Sequence, residues 1–65
     1  MEWNTERVRE ILQSRYKGKD VREIWRGSES PVALVIFKDG SEQTVIGIDR
    51  YMSDERVANL IERAI

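Results

Sequence analysis

Apolar residues recur at helical spacing near the start of the chain. In this first segment they lie three or four positions apart, at Val8, Ile11, Leu12 and Tyr16. The period is typical of an amphipathic helix, and Asn4 lies just before it, where a side-chain oxygen can cap the first turn. The pattern predicts a helix from about Thr5 to Arg15 or Tyr16, with Gly18 as a left-handed residue just beyond it.

A second helical pattern closes the sequence. Ser53 occupies the N-cap position, and Asp54 and Glu55 follow in the first turn, where carboxylates interact favourably with the positive end of the helix dipole. Met52 and Val57 have the spacing of a hydrophobic staple around this cap. A second helix is therefore predicted after Ser53.

Between the two helices, β-branched and apolar runs predict three strands. They cover residues 21–25, 32–37 and 42–48, and turn-forming residues separate them. A four-residue turn is predicted over 27–30, and Asp39–Gly40 is the pair favoured by two-residue hairpins. The sequence thus predicts a single α+β domain over 1–65. Its order is α-β-β-β-α, with a three-stranded antiparallel sheet and both helices packed on one face.

The predicted turns assign the strand residues to two faces of the sheet. Successive side chains of a strand point to opposite faces, so the turn at Asp39–Gly40 determines which residues lie together. The first predicted face comprises Ile24, Ala33, Val35, Phe37, Thr44, Ile46 and Ile48. The second comprises Val21, Trp25, Val32, Leu34, Ile36, Val45 and Gly47. Both faces are apolar, and the sequence does not decide which of them the helices cover.

An uncovered apolar face predicts a docking surface. Two short helices cover one face of a three-stranded sheet, and a large exposed apolar patch is typical of an interface. We therefore expect a homodimer or a complex with another protein. The expected interface residues are Val21, Trp25, Val32, Leu34, Ile36 and Val45. Two alternatives stay open: a strand register shifted by one residue, or a second face covered by the regions around Trp3 and Tyr51.

The residue types in the chain exclude several kinds of chemistry. The 65 residues include no cysteine and no histidine, which removes disulfides, thiol nucleophiles, imidazole bases and the usual zinc sites. A divalent cation would need carboxylates, but Asp49, Asp54 and Glu55 have a spacing that matches no known metal-binding loop. We expect no enzymatic activity, no metal site and no cofactor.

Charge is distributed unevenly along the chain. The net charge is −1, yet residues 15–26 carry five basic and two acidic side chains, whereas residues 27–65 carry four basic and seven acidic ones. Cations and aromatic rings in one segment are typical of nucleic-acid contacts, so this segment supports an alternative function. Its candidate contact residues are Arg15, Lys17, Lys19, Arg22 and Arg26. A solvated loop and a charged edge strand would explain the same pattern without nucleic acid.

The hydropathy pattern predicts where in the cell the protein is located. The longest apolar run spans seven residues, 31–37, whereas a membrane helix needs about 20. The N-terminus has neither the basic nor the apolar part of a secretory signal. We therefore expect a cytoplasmic protein with no membrane contact. Charged residues make up 35% of the chain and Arg and Glu are prominent, which favours a heat-adapted source.

Several positions match the motifs of a known family of small domains. Val8, Glu10 and Gln13 fit the pattern L-x-E-x-x-Q, Gly27 falls in the loop between the first two strands, and Ser53 precedes the second helix. These positions, over nearly the whole chain, resemble those of the double-stranded RNA-binding domain. The resemblance implies the same α-β-β-β-α fold.

The departures from that family fall on its RNA-binding residues. The loop between the first two strands reads GSESP, where the family has G-P-x-H. Asp54 and Glu55 stand where the family's second helix opens with the lysines of K-K-x-A-K. Carboxylates at these positions repel phosphate and release no counterions on binding a duplex. The resemblance therefore implies the architecture without the RNA binding, as in relatives that act as protein-interaction or dimerisation modules.

Overall fold

The chain folds into two helices and one three-stranded sheet. The structure, a computed structural model, describes residues 2–28 and 31–65. Its elements in chain order are α1 (Thr5–Gln13), a short 3-10 helix (Tyr16–Gly18), β1 (Val21–Arg26), β2 (Val32–Phe37), β3 (Glu42–Ile46) and α2 (Asp54–Ala64). The strands pair antiparallel in the order β1-β2-β3. The predicted α-β-β-β-α order and α+β class are confirmed, while part of the turn predicted over 27–30 lies outside the described residues.

Both helices begin at the predicted N-caps. The Asn4 side-chain oxygen accepts a hydrogen bond from the Arg7 N–H at 2.9 Å, and the Ser53 hydroxyl accepts one from the Arg56 N–H at 3.2 Å. These bonds satisfy main-chain donors that helix geometry leaves without a partner. The Asn4 N–H also donates to an Asp54 carboxylate oxygen at 2.7 Å, so the two helix starts are tied to each other.

The first helix ends earlier than predicted, and Gly18 is not left-handed. α1 stops at Gln13, and the 3-10 helix then brings Gly18 against Leu12. A Cβ atom added to Gly18 would lie 2.0 Å from the Leu12 carbonyl oxygen. Close packing therefore requires glycine here, whereas Gly40 and Gly47 are the described glycines with positive φ.

Both helices pack on one face of the sheet, which we call the covered face. The buried helix residues are Val8, Leu12, Val57, Ala58 and Ile61. The buried sheet residues around them are Val21, Ile24, Ala33, Val35 and Val45. Trp3 and Ile48 join the same cluster from the segments before α1 and after β3. Removal of these side chains from water is the main driving force for the fold, and the opposite surface of the sheet is the open face.

The turn between β2 and β3 contains three residues and not the predicted two. The Phe37 carbonyl oxygen accepts a hydrogen bond from the Gly40 N–H at 3.0 Å, and the Phe37 N–H donates to the Ser41 carbonyl oxygen at 2.9 Å. Gly40 has a φ of +90°, so a type I turn is closed by a left-handed glycine. Lys38, Asp39 and Gly40 therefore form the loop.

The extra turn residue shifts β3 by one position relative to the prediction. Val45 pairs with Ala33, and Thr44 pairs with Leu34. Because side chains alternate between faces, Val45 lies on the covered face, whereas Thr44 and Ile46 lie on the open face. The register predicted from a two-residue turn is wrong, and the alternative of a one-residue shift is the one observed.

A bulge in β1 produces a second correction, at Val21. Val21 pairs with Phe37 and Glu23 pairs with Ile36, so Arg22 is an extra residue between two successive pairs. The insertion turns Val21 to the covered face, where it is fully buried. The prediction that Val21 lies on the second face is therefore wrong.

Candidate interaction surface on the open face

The open face presents three rows of side chains that run across the strands. The acidic row comprises Glu23, Ile36 and Glu42. The middle row comprises Trp25, Leu34 and Thr44. The aliphatic row comprises Gly27, Val32 and Ile46, because the Gly27 N–H donates to the Val32 carbonyl oxygen at 3.0 Å and Val32 pairs with Ile46.

The two most exposed apolar residues of the sheet lie on opposite edges of this face. Trp25 on β1 is 57% exposed and Ile46 on β3 is 78% exposed. Leu34 and Val32 lie between them on the central strand, and both are partly buried. Apolar surface left in water costs about 25 cal/mol per Å², so this face would gain stability from a partner that covers it.

Ile36 is buried on the open face, outside the core cluster that the helices form with the covered face. It is 8% exposed. Its cross-strand neighbours are Glu23 and Glu42, whose aliphatic stems can lie over an apolar neighbour while the carboxylates stay in water. The acidic row thus closes one end of the face, and the apolar exposure concentrates in the other two rows.

Four of the six predicted interface residues lie together on the open face: Trp25, Val32, Leu34 and Ile36. Val21 and Val45 do not, because both are buried against the helices on the covered face. The bulge at Arg22 accounts for Val21, and the three-residue turn accounts for Val45.

Ile46 is the exposed apolar residue of this face that the predicted register placed on the other side; Thr44 shares the error. The Asp39–Gly40 pair favours a two-residue turn, but glycine is equally suited to the last position of a three-residue turn. Ser41 is the additional signal in the sequence, because its N–H and hydroxyl both donate to the Asp39 carboxylate, at 2.8 and 2.6 Å. An Asx turn of this kind stabilises the longer loop.

Trp3 does not cover the open face. It is 1% exposed within the core cluster, and its main-chain N–H donates to the Arg50 carbonyl oxygen at 3.1 Å. Tyr51 remains largely exposed to solvent. The alternative in which Trp3 folds over the second face is therefore wrong.

Arg15, the first residue of the basic segment, is engaged with α2. Its guanidinium donates to the Asn59 side chain at 2.9 Å and to Glu62 at 3.2 Å, and it also contacts Glu55. Two carboxylates thus face one cation across the gap between α1 and α2. Arg15 serves to join the helices, which leaves it little free charge for a phosphate.

Arg26, the last residue of that segment, is engaged with the N-terminal residues. Its guanidinium donates to the Trp3 carbonyl oxygen, lies 5.6 Å from the centre of the Trp3 ring, and lies 3.7 Å from Glu2. Glu2 also pairs with Arg50 at 2.8 Å. This cluster anchors the chain before α1 to the end of β1.

The other three basic residues remain at the surface. The Lys19 ammonium lies 4.9 Å from the centre of the Tyr16 ring, and Arg22 lies 4.0 Å from Glu23. Lys17 is also exposed. The five candidate nucleic-acid-binding residues therefore take part in separate contacts. Two of these residues, Arg15 and Arg26, hold parts of the chain together.

The residues compared with the RNA-binding family, both those that match it and those that depart from it, make contacts within the chain. The Gln13 side chain donates to the Val21 carbonyl oxygen at 3.2 Å, and Asp54 and Glu55 contact Asn4 and Arg15 respectively.

Within residues 2–28 and 31–65, no three His, Cys, Asp or Glu side chains gather where they could hold a metal ion.

A shallow cavity lies beside the β2–β3 turn. Its lining residues are Lys17, Asp20, Phe37, Lys38, Asp39, Ser41 and Ile65. Cations and carboxylates are mixed along it, so it offers no field of one sign to a charged ligand. The hydrogen bonds from the Ser41 hydroxyl and N–H lower the pKa of the Asp39 carboxylate below its usual value, because they favour the charged form.

Comparisons with models of protein families, with curated proteins and with solved structures find no match to this chain. No helix in the described part of the chain has the length and apolar character needed to cross a bilayer.

Proposed function

We propose that this chain is a non-enzymatic homodimerisation module, in which the open face of one copy packs on the open face of a second. The observation that carries the proposal is the exposure of Trp25 and Ile46 at the two edges of an apolar face. Complete burial of a side chain of this kind stabilises a complex by about 1.5–3 kcal/mol. A partner sheet that covers both edges would bury both side chains at once.

A second copy suits this face because the face is self-complementary. A two-fold dimer requires that the same patch be acceptable to itself, and Leu34 and Val32 supply an uncharged centre that meets this condition. The charged residues of the face are Glu23 and Glu42, and both stand on its edge strands. A domain of this size also buries only about 60% of its chain surface on folding, so association adds a useful increment of burial.

The size of the face predicts a reversible dimer. Three strands about 4.8 Å apart and six residues that each rise about 3.3 Å give a face of about 14 by 20 Å. Such a face falls below the roughly 800 Å² per partner of a standard stable interface. We therefore expect a monomer–dimer equilibrium with a micromolar or weaker dissociation constant.

The alternative of nucleic-acid binding has less support. Arg15 and Arg26 are held by contacts within the chain, and Asp54 and Glu55 put negative charge at the start of α2. We propose that the resemblance to the double-stranded RNA-binding domain extends to the architecture alone. Affinity for a duplex that falls steeply with salt would favour the alternative instead.

Sedimentation velocity from low micromolar to millimolar concentration tests the dimer, with an Ile46→Asn variant beside the natural chain. Ile46 is mostly solvent-exposed in the single copy, so its replacement leaves folding intact. Loss of its burial at the interface should weaken association about tenfold, which corresponds to about 1.4 kcal/mol.

Tyr16→Ser is the matched control. Tyr16 is 84% exposed and lies in the 3-10 helix, outside the sheet. Its removal deletes a comparable apolar group, and we expect the dissociation constant to stay within about twofold. A natural chain that remains monomeric at millimolar concentration, or a Tyr16→Ser variant as weakened as Ile46→Asn, would refute the proposal.

A further inference from the structure

The position of the two carboxylates distinguishes one end of the open face from the other. Glu23 and Glu42 both flank Ile36 in the acidic row, whereas the aliphatic row at the opposite end carries Gly27, Val32 and Ile46. In a dimer of two such faces, the acidic row of one copy lies over either the acidic row or the aliphatic row of the other. This orientation determines which residues of the two copies are in contact.

Aligned packing of two identical sheets leaves two directions for the two-fold axis. Strands of packed sheets stay within about 30° of each other, so the axis runs either along the strands or across them within the interface plane. An axis along the strands places β1 over β3 of the second copy and keeps the rows in register. An axis across the strands places β1 over β1 and inverts the rows.

The first arrangement brings like charges together. Glu23 would lie over Glu42 of the second copy, and Glu42 over the second copy's Glu23, so four carboxylates would share one end of the interface. Carboxylates that approach each other in a partly dehydrated site repel strongly. The nearby Arg22 lies 4.0 Å from Glu23, but Arg22 and Glu23 are both about half exposed, and exposed ion pairs contribute little.

The second arrangement separates these charges. Each acidic row then lies over the aliphatic row of the second copy, so Glu23 meets Gly27, which has no side chain to obstruct it. The Arg50 guanidinium lies at this end, donating to the Ser28 carbonyl oxygen at 2.9 Å. Arg50 is already paired with Glu2 at 2.8 Å, so the separation of Glu23 from Glu42, and not a new ion pair, is what favours this arrangement.

We infer that the second copy packs with its rows inverted, so that the acidic row of each copy covers the aliphatic row of the other and the middle rows face each other. This inference rests on the proposed homodimer. In this dimer Trp25 faces Trp25 and Thr44 faces Thr44 across the two-fold axis, while Glu42 reaches over the exposed Ile46. The arrangement covers both apolar edges and keeps all four carboxylates apart.

Cross-linking of single-cysteine variants tests the orientation, because the natural chain has no cysteine. A bifunctional maleimide that spans the roughly 10 Å between packed sheets would be used, since that gap exceeds the reach of a disulfide. The first sample is the Thr44→Cys variant alone. The second mixes Glu23→Cys with Gly27→Cys, and the third mixes Glu23→Cys with Glu42→Cys.

Inverted rows should link Thr44→Cys to itself and Glu23→Cys to Gly27→Cys, with several-fold less product from Glu23→Cys and Glu42→Cys. Product mainly from the third sample would overturn the inference and leave the homodimer intact. Product from the Thr44→Cys sample without product from the second sample would also overturn it. Two copies that pair through their β3 edges would bring the two introduced cysteines together while the two β1 strands stay far apart. No product in any sample, with monomers in sedimentation, would mean that the proposed homodimer itself fails.

A charge variant provides an independent measurement. If the rows instead stay in register, Glu42→Gln removes the repulsion between facing carboxylates and lowers the dissociation constant severalfold. With inverted rows, the aliphatic stem of Glu42 lies over an apolar neighbour while its carboxylate stays in water at the sheet edge. We therefore expect the dissociation constant to stay within about twofold. Tightening by Glu42→Gln would therefore overturn the inference even if cross-linking failed.

Discussion

The two faces of the sheet are both rich in apolar side chains, but they are buried in different ways. On the covered face, Val35 and Val45 are removed from water by the helices. On the open face, Ile36 is buried in the row between Glu23 and Glu42, while Ile46 remains 78% exposed. The first face is stabilised by long-range packing and the second by its own neighbours within the sheet.

Apolar content alone therefore does not identify the core of a small α+β domain. The helices can cover one face, and the geometry of the turns decides which side chains are presented to them. Neighbours in the sheet protect the other face incompletely. The exposed remainder, centred on Trp25 and Ile46, is where a partner would contribute most.

The largest expected effect comes from two adjacent residues that face opposite ways. Val45→Asn buries an amide among apolar side chains and should lower the free energy of unfolding by about 3 kcal/mol or more. Ile46→Asn alters an exposed side chain and should change it by about 0.5 kcal/mol or less. Urea unfolding followed by circular dichroism at low micromolar concentration, where the monomer prevails, measures both.

The same pair of variants tests the register directly. A two-residue turn would exchange the two positions, placing Ile46 among the covered residues and Val45 outside, and the ranking would reverse. A larger loss for Ile46→Asn than for Val45→Asn would thus contradict the assignment of the two faces.

Gly18→Ala should produce the next largest effect, because it disturbs the packing of α1 over the covered face. The added Cβ would meet the Leu12 carbonyl oxygen at 2.0 Å, so the main chain must move. We expect a loss of about 2–3 kcal/mol in the free energy of unfolding, measured by urea unfolding.

Gly40→Ala serves as the control for Gly18→Ala. Its added Cβ meets nothing within 4 Å, and the cost comes from a φ of +90° alone. A left-handed residue other than glycine costs about 1–2 kcal/mol. A loss from Gly18→Ala smaller than that from Gly40→Ala would show that α1 does not approach the 3-10 helix as described.

Ser53→Ala should have a smaller effect, confined to stability. Loss of the hydroxyl that accepts the Arg56 N–H removes a helix cap worth about 1 kcal/mol. Because α2 lies on the covered face, thermal unfolding should shift while the dimer dissociation constant stays unchanged. Ser53→Asp retains an acceptor and should restore most of the stability; a change in dimerisation with Ser53→Ala would indicate that α2 takes part in the interface.

The smallest expected effect is a pH-dependent change in stability at the β2–β3 turn, which determines the side chains of β3 that lie on the covered face. The pKa of Asp39 is lowered in the folded chain by the hydroxyl and N–H of Ser41, from an ordinary value of 3.8. Its contribution to stability is therefore complete above that ordinary value and is lost as pH falls through the lower, folded-state pKa.

Unfolding of Asp39→Asn and the natural chain should therefore differ at neutral pH and converge in strong acid. Thermal unfolding followed by circular dichroism over this pH range measures the difference. A gap that is independent of pH would show that the Asp39 charge contributes nothing to the turn, so that Gly40 alone maintains it.

The local signals of the sequence were sufficient for the two α-helix starts, the three strands and their order, but not for the end of α1 or for the 3-10 helix that follows it. The caps at Asn4 and Ser53 are the observed ones, because an N-cap depends on residues within one helical turn. The limits of β2 agree with the predicted strand over 32–37 because the run is uniformly β-branched or apolar. The order of elements needed no long-range information.

The composition of the candidate surface was predicted in part. Trp25, Val32, Leu34 and Ile36 share the open face as expected, whereas Val21 and Val45 do not. Each error comes from one inserted residue, at the β1 bulge or in the β2–β3 turn. Strand propensity carries no signal for a bulge, because the extra residue depends on how two strands accommodate each other.

Local signals account for the starts of both helices and for the order of helices and strands, because caps, periodicity and β-branched runs act over a few neighbouring residues. The tertiary structure alone decided which side of β3 is buried and that Gly18 must be a glycine. Both depend on contacts between segments distant along the chain or on the exact number of residues in a loop. Since a shift of one residue reverses the faces of a strand, this small geometric choice placed Ile46 in water and Val45 in the core.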